Sequence, residues 1–238
     1  MMTTATTRPA APSSSTLGTD TRTFDRWVAA LLMPIGPAAL AVLRFILPYD
    51  TTDTPAEMVA GIAADQAAQA AVLWLGTVAV FTLIPGAVAV VRLVRPTAPR
   101  LTTVAAAFLI PGYLGLFGTA SVDTDILVGL RAGIDPATLT RLVVAQDTGP
   151  GVVAITVFVV GHIVGSVLLG VAFWRSRVVH QGWAAAMVVS QPLHLLAAMT
   201  ANHPLDLLGW GLTALAMGAA AVALLRTPNS QWDVPARV

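Results

Sequence analysis

GVVAITVFVVGHIVGSVLLGVAFW, residues 151–174, followed by Arg175-Ser176-Arg177, decides the fold. It carries no charged side chain over a length that, at about 1.5 Å per helical residue, crosses a hydrocarbon core of about 30 Å. Within lipid, a single segment satisfies its own backbone only as a helix. Working outward, five further runs have the same character: Trp27 to Pro48, Ala70 to Val91, Leu101 to Ala120, Gly182 to Thr200 and Leu205 to Leu225. They predict an all-α, six-transmembrane-helix bundle with short amphipathic helices in the outer loops. The expected division is a disordered cytoplasmic tail over 1–23, a transmembrane domain over 24–226 and a cytoplasmic C-terminal tail over 227–238.

The charges support this division. All 13 basic residues are Arg, and Arg8, Arg22, Arg26, Arg92, Arg95, Arg100, Arg175, Arg177, Arg226 and Arg237 fall on one side of the alternating spans. Asp50, Asp53, Glu57, Asp65, Asp123, Asp125, Asp135, Asp147 and Asp206 fall on the other. The positive-inside rule assigns the arginine side, with both termini, to the cytoplasm. The 238 residues are 56% hydrophobic and 11% charged, against about 25% charged in soluble domains. Absence of Lys beside abundant Ala and Arg points to a GC-rich bacterial genome, hence a multi-pass protein of a bacterial cell membrane. The run from Trp27 is too long for the core of a cleavable signal peptide, so the first span is expected to stay. Without Cys there are no disulfides, thiolate nucleophiles or thiolate ligands.

Two outer connections carry helix starts. Thr54-Pro55-Ala56-Glu57 combines a capping Thr, a first-turn Pro and a capping-box Glu, and Asp135-Pro136 precedes an apolar face of Leu139, Leu142 and Val143. The expected place for both helices is the lipid interface, with the mouth of an outward pocket as the alternative. Pro34, Gly36 and Pro37 interrupt the first span, and Leu-Ile-Pro-Gly occurs at 83–86 and again at 109–112. Gly161 with Gly165, and Gly112 with Gly115 and Gly118, mark faces where backbones approach closely.

His162 and His194 each lie 12 residues from the expected inner end of their span, roughly 18 Å deep and at matching depth. If their helices face one another, the imidazoles meet. Ser166 lies one turn from His162; Ser190 and Gln191 lie one turn before His194, and Gln191 is also placed to satisfy the carbonyl freed by Pro192. The plain reading is a pair of neutral histidines serving as interhelical hydrogen-bond donors and acceptors. The functional readings are a general base or proton relay, two axial ligands of a b-type haem, and part of a metal site. Asp206 occupies the first turn of the sixth helix, projected about 9 Å above His194. Asp123 and Asp125 follow the third span, where Ser121 or Asp123 is placed to cap a short helix. Arg44 is expected to snorkel to the outer interface, or to pair with Asp50, Asp123 or Asp206. Trp74, Phe81, Tyr113, Phe117, Phe158, Trp174, Trp183 and Trp210 are scattered through the spans, Trp174 and Trp183 at the place of an inner aromatic belt. No phosphate-binding loop, serine-hydrolase elbow, zinc-protease motif, diphosphate-binding aspartate pair or nucleic-acid-binding basic patch occurs.

The stretch Gly161-His162-Ile163-Val164-Gly165-Ser166, continued by residues 168–179, Trp183 and Gln191-Pro192-Leu193-His194, resembles small, uncharacterised polytopic membrane proteins of high-GC Gram-positive bacteria. In size, helix number and reliance on embedded acids, the chain is also similar in architecture to integral-membrane terpene cyclases, without a shared motif. That likeness implies acid/base chemistry on a lipid-soluble substrate, with proton-initiated isoprenoid cyclisation as the concrete form. Asp206 or Asp123 would be the acid, and His162 or His194 the base, with Gln191 beside it. The expected partners are the bilayer and a hydrophobic small molecule, with no nucleic acid, no metal and no cofactor. The alternatives are a non-catalytic carrier, resistance factor or accessory protein, and a haem protein ligated by His162 and His194.

Overall fold

The structure, a computed structural model, describes residues 21–146 and 149–232, with the side chains of 117–120 left aside. Expectations for the tail over 1–20 with Arg8, for Asp147, for 233–238 with Arg237, and for Phe117 and Gly118 lie outside the described residues and side chains. The elements are α1 (Arg22–Ile46), α2 (Pro55–Ala64), α3 (Gln66–Val94), α4 (Pro99–Arg131), α5 (Pro136–Gln146), α6 (Pro150–Ser176), α7 (Gln181–Met199), α8 (His203–Arg226) and α9 (Asn229–Trp232). No strand occurs among the described residues. Six of the helices, α1, α3, α4, α6, α7 and α8, are long and apolar enough to cross a membrane. Their outward surfaces stay apolar, with Trp74 73% and Phe81 69% exposed, as lipid contact requires.

The six long helices form a closed ring in chain order, α1 and α3 through α4, α6, α7 and α8, and α8 packs back on α1. Glycines allow the closest approaches. A Cβ on Gly112 would stand 2.6 Å from the His162 nitrogen, and one on Gly161 would stand 2.6 Å from the Gly112 Cα, so α4 and α6 touch backbone to backbone. A Cβ on Gly86 would meet the Leu32 carbonyl at 2.8 Å. Each glycine of the repeated Leu-Ile-Pro-Gly is therefore a packing point, and neither Pro85 nor Pro111 ends its helix.

The two ends of the ring differ. Met33, Leu83, Leu109, Phe173, Met187 and Met217 are fully buried and fill the half nearer the arginines. At that end Arg26 donates to the Leu225 carbonyl at 3.3 Å and to the Thr227 carbonyl, and Arg92 lies 4.7 Å over the Trp232 ring. The expected C-terminal tail thus folds back as α9, because a buried Trp232 and a cation over its ring hold it.

At the acidic end α4 continues to Arg131, about 50 Å in all and longer than a bilayer's apolar core. Ser121 and Asp123 are interior to it, which corrects their expected role as caps; no breaker interrupts the helix there. On this extension α2 and α5 build a second core of Val59, Ile62, Ile126, Leu127 and Leu139. The two short helices therefore pack on α4 and on each other. Their starts are as read: Thr54 and Glu57 form a capping box, and Asp135 accepts from the Thr138 nitrogen at 2.9 Å. The hydrogen bonds from Thr54 hold the Glu57 carboxyl below its usual range.

Gly112→Val is expected to lower thermal stability in detergent by about 1–3 kcal/mol through overpacking. Gly211→Ala, where an added Cβ meets nothing within 4 Å, causes no loss of stability and is the control.

Candidate functional site

The turn between α7 and α8 is three residues long, with Ala201 in the left-handed region at φ 50° and Asn202 accepting from the Leu205 nitrogen at 2.9 Å. So short a link holds the two helices antiparallel from their first turns. Gly209 removes the last obstacle: a Cβ there would lie 2.9 Å from the His194 nitrogen. His194 Nδ1–H consequently donates to Asp206 Oδ1 at 2.5 Å. The projected separation of about 9 Å is corrected by this contact, since at 1.5 Å per residue Asp206 lies about one turn inside α8 and the turn adds little height.

The second oxygen of Asp206 accepts from Arg44 Nε at 2.5 Å, so Arg44 pairs inward instead of snorkelling. Asp206 is 1% exposed, and a carboxylate so placed requires this cation. The pair is balanced without a charge on His194. With Nδ1 committed as a donor, the neutral ring carries its lone pair on Nε2, which has no partner among the described residues.

His162 is held differently. Its Nδ1–H donates to the Phe158 carbonyl one turn back at 2.5 Å, and its ring stacks on Phe158 at 4.4 Å and on Trp210 at 5.4 Å. The His162 and His194 ring centroids are 5.5 Å apart, so the two histidines do meet. Trp210 is 5.3 Å from His194 as well, making a near-equilateral triangle of three rings. Two axial ligands of a haem must flank the macrocycle from opposite faces, whereas these imidazoles stand 5.5 Å apart and both pack on the Trp210 indole. The rings therefore do not fit a haem. Among the described residues no group of three His, Asp or Glu stands close enough to hold a metal ion.

Above the triangle lies a cavity of about 400 Å³, in the acidic half of the ring. Its walls are apolar, including Leu40, Leu43, Val72, Val80 and Val159, and His162, His194 and Trp210 close its inner end. Phe81, Ile155 and Leu195 line it and are also exposed on the outside of the ring, so the cavity reaches the lipid-facing surface. Tyr49 and Asp123 stand at its outer end, Tyr49 O–H donating to Asp123 Oδ1 at 2.9 Å. The loop bearing Tyr49 is tied down by Thr51 to the Ala198 carbonyl at 2.6 Å and by His203 Nε2 to Asp50 at 2.8 Å. Burial, then the Asp123 charge, pushes the Tyr49 phenol well above its ordinary range.

Four of the five expected site residues thus belong to one place: His162 and His194 at the inner end, Asp206 behind His194, and Asp123 at the outer end. Gln191 is apart from them. Its Nε2 donates to Thr213 Oγ1 at 2.7 Å, Thr213 donates to Ser190 at 2.9 Å, and Ser190 to the Met187 carbonyl at 2.9 Å, bracing α7 against α8. Its amide group therefore does not serve the carbonyl freed by Pro192. Tyr49, Gly209, Phe158 and Trp210 were not read as site residues, although Phe158 precedes His162 by one helical turn and could have been found by that spacing. Comparison with protein-family models, curated proteins and solved structures finds no match to this chain.

Arg44→Met should destabilise the protein by about 3–5 kcal/mol, the cost of leaving a buried charge without its partner. The double variant with Asp206→Asn should lose less than the sum of the two single changes, read from thermal melts of all four proteins. Because Tyr49 keeps its proton when folded and loses it near pH 10 when unfolded, stability should fall as pH rises above about 10. Tyr49→Phe should lessen that fall in denaturant titrations.

Proposed function

We propose that the chain is a membrane-embedded enzyme that moves protons on a lipid-soluble substrate, in the concrete form of isoprenoid cyclisation with His194 as the base. The observation that carries the reading is the chain of contacts Arg44–Asp206–His194, both at 2.5 Å, ending on an imidazole that lines a cavity of about 400 Å³. A carboxylate behind Nδ1–H fixes the tautomer and stabilises the imidazolium that forms when Nε2 takes a proton. Asp206, with both oxygens accepting, is a poor initiating acid. Asp123, whose partner is the neutral Tyr49 phenol, suits that role better.

In this scheme the Asp123 carboxyl gives its proton to one carbon of an alkene, leaving a cation on the other. A second double bond closes a ring on that cation, and His194 Nε2 removes a proton from the neighbouring carbon to restore an alkene. The product is an isomer of the substrate, and solvent returns the proton from His194 to Asp123. The faces of Trp210 and Phe158 favour the cationic stage. By the positive-inside rule the arginine end lies in the cytoplasm of a bacterial cell, so the cavity opens toward the outer leaflet.

Purified protein in nanodiscs should convert a linear polyprenyl compound to an isomer of unchanged mass. His194→Ala and Asp123→Asn should each lower kcat by about 10²–10⁴-fold. Full turnover in His194→Ala, or no conversion of any polyprenyl compound, overturns the proposal. Tight binding without conversion would leave the carrier reading, which the lipid-facing rim at Phe81, Ile155 and Leu195 also favours.

A further inference from the structure

A second concavity lies at the opposite end of the molecule, outside the ring, between α1, α7 and α8. It has a volume of about 670 Å³ and is lined on α1 by Pro34 and Ala38 and at the start of α7 by Trp183. Its floor is the α8 stripe Ala214, Gly218, Val222 and Arg226, one face of the helix at four-residue spacing. An added Cβ on Gly218 would meet nothing within 4 Å. We propose that this groove binds one phospholipid with an anionic headgroup, its acyl chain along the α8 stripe and its phosphate at Arg226 and His180.

Length and charge both fit that occupant. From Ala214 to Arg226 the stripe rises about 18 Å, close to the depth of one leaflet, about 15 Å. The groove therefore ends near the bilayer centre at one end and at the headgroups at the other. Arg226 and His180 are exposed at its mouth, and among the described residues no carboxylate lines it. His180 Nδ1 accepts from the Gly182 nitrogen at 3.1 Å, which leaves the N–H of the neutral ring on Nε2 as a donor for a phosphate oxygen. Trp183, 39% exposed beside it, suits the headgroup boundary. Basic pockets between helices at a membrane surface hold anionic lipids in this manner. A second copy of the chain packing symmetrically through the same face would set Arg226 against Arg226, which disfavours that occupant.

The test uses the full chain in nanodiscs of phosphatidylcholine with and without phosphatidylglycerol, followed by native mass spectrometry and thermal melts. One phosphatidylglycerol should stay on the monomer and raise its melting temperature. Arg226→Gln should weaken retention by about five- to ten-fold, and Gly218→Leu, which fills the groove without changing charge, should abolish it. Arg177→Gln, an equal charge change outside the groove, should leave it intact. The proposal is overturned if Arg177→Gln weakens retention as much as Arg226→Gln. Retention by Gly218→Leu, or a lipid-free dimer, overturns it as well.

Discussion

A carboxylate buried in the first turn of a membrane-spanning helix has to be neutralised where it lies, and in this protein that requirement organises the acidic half of the ring. Asp206 draws Arg44 from the last turn of α1 and His194 from α7 onto one pair of oxygens. Breaking such a cluster leaves an uncompensated charge away from water, which costs far more than the cluster gains over apolar packing. The ring is therefore closed with a specific rotation of α8, the one that turns Asp206 inward and leaves Leu208 and Leu215 exposed on the outside.

Glycine makes that closure sterically possible. Gly209 lets α8 lie against the backbone of His194, and Gly112 with Gly161 lets α4 lie against the backbone of His162. Both histidines thus sit at close backbone contacts between helices. The two halves of the ring then diverge in filling. Large aliphatic and aromatic side chains occupy the arginine half, whereas Gly76, Thr77 and Ala198 leave room in the other.

The two imidazoles are equivalent in sequence context and unequal in place. His162 is sealed at 1% exposure, stacked on two aromatic rings and tied to its own backbone. Both border the cavity, but His194 has its Nδ1 fixed by a carboxylate. Their hydrogen bonds tie His162 to the Phe158 carbonyl and His194 to Asp206.

By itself the sequence determined the six spans, their alternating direction, the sorting of charge between two ends, both short-helix caps and the matching depth of His162 and His194. All of these depend on distance along a helix or on local hydropathy, quantities that a string of residues contains. Only the tertiary structure decided that Asp206 touches His194, that Arg44 turns inward, that Gln191 serves Thr213, that α4 runs on past Asp123 and that α9 folds back. Those outcomes depend on how each helix is rotated about its axis and how closely its neighbour approaches. Rotation and approach are set by contacts such as Gly209 on His194 and Gly112 on Gly161, between residues far apart in the chain. The charge asymmetry marks which end carries the acids, and the geometry at Asp206 joins one of those acids to Arg44 and His194.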